Sequence, residues 1–80
     1  MKRKQAIIRY LGHVKRANRH QIAEAIGAGL EVTSVRLTEL KRAGVARNVE
    51  WPDGSKVWFL TKEGDRRYQY YAERNRERGA

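Results

Sequence analysis

Cysteine is absent from this 80-residue sequence. Proline, phenylalanine and methionine occur once each, and acidic residues are half as many as basic ones. Each shortage excludes something. Without cysteine there is no disulfide framework, no thiolate zinc site and no thiol chemistry. Apart from Pro52, nothing forbids helix by removing a backbone donor. No apolar run approaches the ~18 residues of a membrane span. The start, MKRKQAIIRYLGH, is basic then apolar, but Arg9 interrupts it before it reaches the length of a signal-peptide core. A soluble cytoplasmic protein is therefore expected, with no membrane partner, nucleoid-associated or in host-cell cytoplasm if viral. His13 and His20 are the only histidines and make no metal site. No nucleophile–base pair, carboxylate dyad or phosphate-cradling Gly-rich loop is present. The expectation is a protein that is not an enzyme, with no cofactor and no evident small-molecule ligand.

What is abundant is positive charge. Lys and Arg number 18 against 9 Asp and Glu, a net of +9. Residues 1–48 carry 11 basic and 3 acidic residues, a net of +8, whereas residues 49–80 carry 7 and 6, a net of +1. A positive field on one part of a small chain suits a polyanion, and nucleic acid is favoured over a merely solvated surface. At this length one domain is expected, with a small core that association would help.

Apolar spacing organises the chain. Ile7, Leu11 and Val14, widened by Ile8, predict a first helix over about 3–15, which Gly12 weakens slightly. Asn18 with Gln21 three residues on resembles a capping box, opening a short helix that buries Ile22, Ala23 and Ile26 and closes at Gly27. A third helix lies within VTSVRLTELKRAG, with Leu37, Leu40 and Thr33 on one face and Gly44 as its stop. Strands over about 45–51 and 56–60 flank Trp51-Pro52-Asp53-Gly54. This sequence suits a type I turn with Gly54 left-handed and a three-residue loop, and it sets Glu50 opposite Lys56 and Val49 opposite Val57. Thr61 caps a last helix running to about residue 76.

The segments QIAEAIG, SVRLTELKRAGVA and PDGSKVWFLTKEG, in this order, resemble the second helix, recognition helix and wing of winged helix-turn-helix domains of MarR-like and PadR-like regulators. The resemblance covers about residues 5–65. It departs at Thr33, where the family usually has valine or isoleucine, and at Val32 and Val35, where it usually has a polar residue. It implies an α+β, mostly α fold: three helices, a β-hairpin wing and a C-terminal helix. Residues 1–61 would form the DNA-binding domain and residues 62–80 a helix that could serve dimerisation. The implied function is a sequence-specific, double-stranded DNA-binding transcription regulator acting as a homodimer. The alternatives are a winged-helix protein-interaction module and a non-specific architectural or RNA-binding protein.

With Leu37 and Leu40 inside, Ser34, Val35, Arg36 and Thr38 are the expected base contacts, Arg36 forking onto guanine. Val35 reads equally as DNA-facing or core, and Val32 as core. Arg19, His20, Lys41, Arg42, Arg47 and Lys56 are the expected backbone contacts, the first two at a helix N-terminus. Trp58 and Leu60 share the hairpin face that packs on the helices. Trp51, Val49, Val57 and Phe59 share the other face, which the last helix or a second copy should cover. Tyr68, Tyr71, Ala72 and Asn75, with Tyr70 beside them, form the expected dimer face.

Overall fold

Six elements follow in chain order: α1 (Arg3–Val14), α2 (Arg19–Ile26), α3 (Leu30–Arg42), β1 (Ala46–Glu50), β2 (Lys56–Leu60) and α4 (Lys62–Gly79). The computed structural model describes residues 3–79, with side chains as far as Arg74, so Asn75 lies outside the described side chains.

The helix boundaries follow from their caps. The Asn18 side chain accepts from the Gln21 N–H at 2.8 Å, and the Gln21 side chain accepts from the Asn18 N–H at 2.9 Å. This reciprocal box satisfies two of the four orphan donors of α2. α2 ends where Ala28 donates to the Ala23 carbonyl and Gly27 to the Glu24 carbonyl. α3 starts two residues before the expected segment, at Leu30, with Gly29 as a cap that has no side chain to signal it. At its far end Gly44 takes φ 75°, a left-handed conformation that glycine adopts without a Cβ clash. The reversal lets Val45 donate to the Leu40 carbonyl and enter the core.

The hairpin has the expected antiparallel register, Val49 with Val57 and Glu50 with Lys56. Gly54 has φ 88° and donates to the Trp51 carbonyl, closing the three-residue loop. A lone hairpin is marginal in water, and this one does not stand alone. Ala17, in the link between α1 and α2, exchanges two backbone hydrogen bonds with Trp58, at 2.8 and 3.1 Å. The hairpin is thus tied to the helices through its β2 edge.

One core joins all six elements. Ile7, Ile8 and Leu11 of α1 meet Ile22, Leu37, Leu40, Val45 and Trp58, with Leu60, Tyr68 and Tyr71 partly buried against them. α4 is fastened at its start by Thr61. Its hydroxyl donates to the Gly44 and Val45 carbonyls and accepts from the Gly64 N–H. Farther along, the Tyr68 ring lies directly on Gly12, where a Cβ would overlap it. Gly12 is therefore the place where α4 approaches α1, and not simply a weak point in the helix.

One expectation about apolar residues is corrected, and two open alternatives are narrowed. Val32, read as core, is 37% exposed, and Val35 is 54% exposed. The buried face of α3 is Thr33, Leu37 and Leu40, and residues 100° per step away from it turn outward. Of the two covers expected for the outer hairpin face, the last helix is not one: Val49 is 44% and Trp51 50% exposed, and α4 packs chiefly on α1.

Candidate nucleic-acid interface

Three elements surround one open depression of about 390 Å³. The first turn of α2 contributes Asn18, Arg19 and His20. α3 contributes Ser34, Leu37 and Thr38. The hairpin tip contributes Gly54, Ser55 and Lys56, and Trp58 is part of the lining. Arg19, His20, Thr38 and Lys56 are exposed, so the rim is polar and basic while Leu37 and Trp58 are buried.

Local chemistry fixes each part. The capping box engages the amides of Asn18 and Gln21, leaving those of Arg19 and His20 as the first-turn donors without a helical partner. Such a terminus favours anions. The Thr38 hydroxyl donates to the Ser34 carbonyl at 3.0 Å, which orients its oxygen and methyl. At the tip, Asp53 accepts from the Ser55 hydroxyl at 2.6 Å and from the Ser55 N–H at 2.9 Å. Those two bonds hold the Asp53 carboxyl below the usual carboxylate range and fix the loop that presents Lys56.

The expected site residues divide into three groups. Ser34, Thr38, Arg19, His20 and Lys56 come together around the depression. Val35 and Arg42 are exposed on α3. Lys41 is also exposed and reaches toward the hairpin, where its ammonium donates to the Asn48 side chain at 3.4 Å.

Arg36 and Arg47 do not join them. The Arg36 guanidinium is paired with Glu39, and the same carboxylate takes Lys4 of α1 at 3.4 Å. Arg36 is therefore drawn to the α1 flank of α3, about 160° around the axis from Ser34 and Thr38. The expected fork of Arg36 onto guanine would require the guanidinium to leave Glu39. Hydrogen bonding from Arg36, with a further contribution from Lys4, holds the Glu39 carboxyl below its ordinary range. Arg47 lies over the Phe59 ring, 5.0 Å from its centroid, on the outer hairpin face. It is separated from Lys56 because alternate strand residues point to opposite faces.

Sequence reasoning missed Glu39 as the partner of Arg36, although their i,i+3 spacing is a readable signal. It also missed Gly54 and Ser55 as part of the rim. Of the tyrosines expected at a dimer face, Tyr68 and Tyr71 pack on the chain's own core. Tyr70 is exposed and accepts from Arg74 at 2.7 Å. Among the described residues, no three metal-ligating side chains converge and no helix is long and apolar enough to cross a membrane.

No family model and no curated protein matches the chain. Solved structures do. One is NadR in complex with 4-hydroxyphenylacetate, at 22% identity and a TM-score of 0.90, covering 98% of this chain and 57% of that one. Another is Streptococcus pneumoniae FabT in complex with DNA, at 17% identity and a TM-score of 0.87, covering 92% and 53%. A third is a MarR family transcriptional regulator from Silicibacter pomeroyi DSS, at 16% and 0.88, covering 99% and 54%. The chain spans a little over half the length of each. With its three-helix core, backbone-tied hairpin and following helix, the chain has the winged helix-turn-helix fold of the MarR type.

Proposed function

We propose that the chain binds double-stranded DNA sequence-specifically and acts in transcription regulation, as a binding protein and not an enzyme. α3 would enter the major groove, whose width of about 12 Å admits one helix. The observation that carries this reading is the gathering of Arg19, His20, Ser34, Thr38 and Lys56, from three elements, around one open basic depression. In that docking the hydroxyls of Ser34 and Thr38 meet base edges and Val35 meets a thymine methyl. Arg19, His20, Lys41, Arg42 and Lys56 hold phosphates, which position the protein without reading sequence. The similar fold of FabT, solved with DNA, supports the same reading.

The chain is further proposed to act as a homodimer through α4. Tyr70 supports this, since it is exposed beside Arg66 and Arg67 in a surface depression of about 360 Å³. Tyrosine suits an interface because its ring is apolar and its hydroxyl stays wet.

Selection of a preferred site from random duplexes, followed by affinities of variants, tests the DNA reading. Replacing Ser34 and Thr38 together by alanine should cost about 1–3 kcal/mol on the selected duplex and little on a scrambled one. Lys56→Ala should weaken both duplexes alike. Equal losses on both duplexes from the hydroxyl removal would dispose of base reading by this face of α3.

A further inference from the structure

The hairpin has a second face that the DNA reading does not use. Val49 and Trp51 stand there beside Val57 and Phe59, opposite to the face that packs on the helices. Val49 and Trp51 are among the most exposed large apolar side chains described, and α4 turns toward α1 without covering them. Two arginines bound the patch. Arg47 lies over Phe59 at one end. Arg16 lines a depression of about 350 Å³ with Trp51 and Val57 toward the other. From Arg47 to Trp51 the strand rises about 13 Å, at ~3.3 Å per residue. Among the described residues neither arginine has a carboxylate partner. The nearby acids are already placed: Glu50 is opposite Lys56 on the inner face, and Asp53 is bonded to Ser55.

This composition differs from that of the proposed DNA face. Protein–DNA surfaces are polar and rely on charge. Interfaces between proteins are enriched in aromatic residues and arginine and depleted in lysine and carboxylates. An isologous second copy is disfavoured, because a two-fold axis through the patch sets the Arg16 end of one copy against the Arg47 end of the other on a chain of net charge +9. The charge complement is an acidic partner.

We infer that the outer hairpin face docks an acidic amphipathic segment of another protein. The aliphatic or aromatic side chains of that segment cover Trp51, Val49 and Phe59. Its carboxylates, one at each end of the apolar stretch, meet Arg16 and Arg47. Because the duplex is assigned to the inner face and α3, segment and DNA bind together and not in competition. The docking does not depend on DNA binding, and the two are measured separately.

The test uses a fluorescein-labelled peptide of about 20 residues, with a Leu/Phe stripe flanked by Asp and Glu. Two controls replace its acids by lysine or its apolar stripe by serine. Anisotropy with the whole chain should show binding of the acidic apolar peptide and of neither control. Trp51→Ser and, independently, Val49→Ser should weaken it about tenfold or more. Far-UV circular dichroism and duplex affinity should remain as in the parent chain. Several results would overturn the inference: no binding at peptide concentrations on the order of 1 mM, equal binding of the serine control, or displacement of the peptide by duplex with both affinities falling in Trp51→Ser. Self-association of the peptide-free chain that disappears in Trp51→Ser would assign the face to a second copy instead.

Discussion

Replacing Gly12 by alanine probes the contact that fixes α4 on α1. A methyl group there overlaps Cγ, Cδ1 and Cε1 of the Tyr68 ring, the nearest atoms to it. Either the ring shifts or the helices part, and overpacking of this kind costs about 1–3 kcal/mol. Alanine offsets roughly 1 kcal/mol of that through its better helix propensity. The net expectation is destabilisation by about 1 kcal/mol, a fall in Tm of roughly 4–8 °C for a domain of this size. Tyr68→Ala alone should cost about 2 kcal/mol, since the ring is only half-buried. In that background the clash is gone and the propensity gain remains, so Gly12→Ala should become stabilising by about 1 kcal/mol. The sign reversal corresponds to a coupling of about 2 kcal/mol, read from urea unfolding of the four proteins. If Gly12→Ala has the same effect in both backgrounds, Tyr68 does not pack on α1, and its assignment to the chain's own core fails.

Glu39→Gln should release Arg36 and Lys4 on the α1 flank yet leave duplex affinity and its salt dependence nearly unchanged; filter binding at two salt concentrations that shows the slope steeper by about 1 would put this cluster at the DNA. Thr33 is fully buried and its hydroxyl has no partner among the described residues. Thr33→Val should therefore stabilise the fold by about 1–2 kcal/mol in thermal melts, and a loss of stability would mean that the hydroxyl is satisfied after all. The Asp53 carboxyl lies below its ordinary range in the folded chain, so its contribution to the hairpin turn is present above the ordinary carboxylate value and is lost as pH falls through the depressed one. Asp53→Asn should remove that acid dependence from amide exchange at Ser55, and an unchanged acid profile would assign it to another group.

Local chemistry was the legible part of the sequence. Asn18 and Gln21 identify the start of α2 because a capping box lies within four residues. Pro52 and Gly54 define the turn, and the turn fixes the hairpin register without reference to the rest of the fold. Where the signal was weak or distant, less could be read. α3 begins at Leu30 because Gly29 can cap a helix without a polar side chain. Val32 reads as core because valine is usually inside, yet Thr33 occupies the buried position beside it. Tyr68 reads as an interface residue because nothing in residues 62–80 reveals that Gly12, more than fifty positions away, leaves room for its ring. The Ala17–Trp58 bridge that supports the hairpin is likewise a long-range backbone contact with no side-chain signature. In the candidate site, the residue types were legible but their directions were not. Arg36 and Arg47 are basic and well placed along the chain, but one is held by Glu39 and the other lies over Phe59.

The central claim, that this face binds duplex DNA through its phosphates, is tested most directly by titrating affinity for a mixed-sequence duplex against salt. Arg19, Lys41, Arg42 and Lys56 are exposed cations of the proposed contact surface. If each neutralises a phosphate, log K should fall against log salt with a slope of about −4 per bound chain, at ~0.9 for each contact. Lys56→Ala should flatten that slope by about 1. A slope near zero, or one that Lys56→Ala leaves unchanged, would contradict the account.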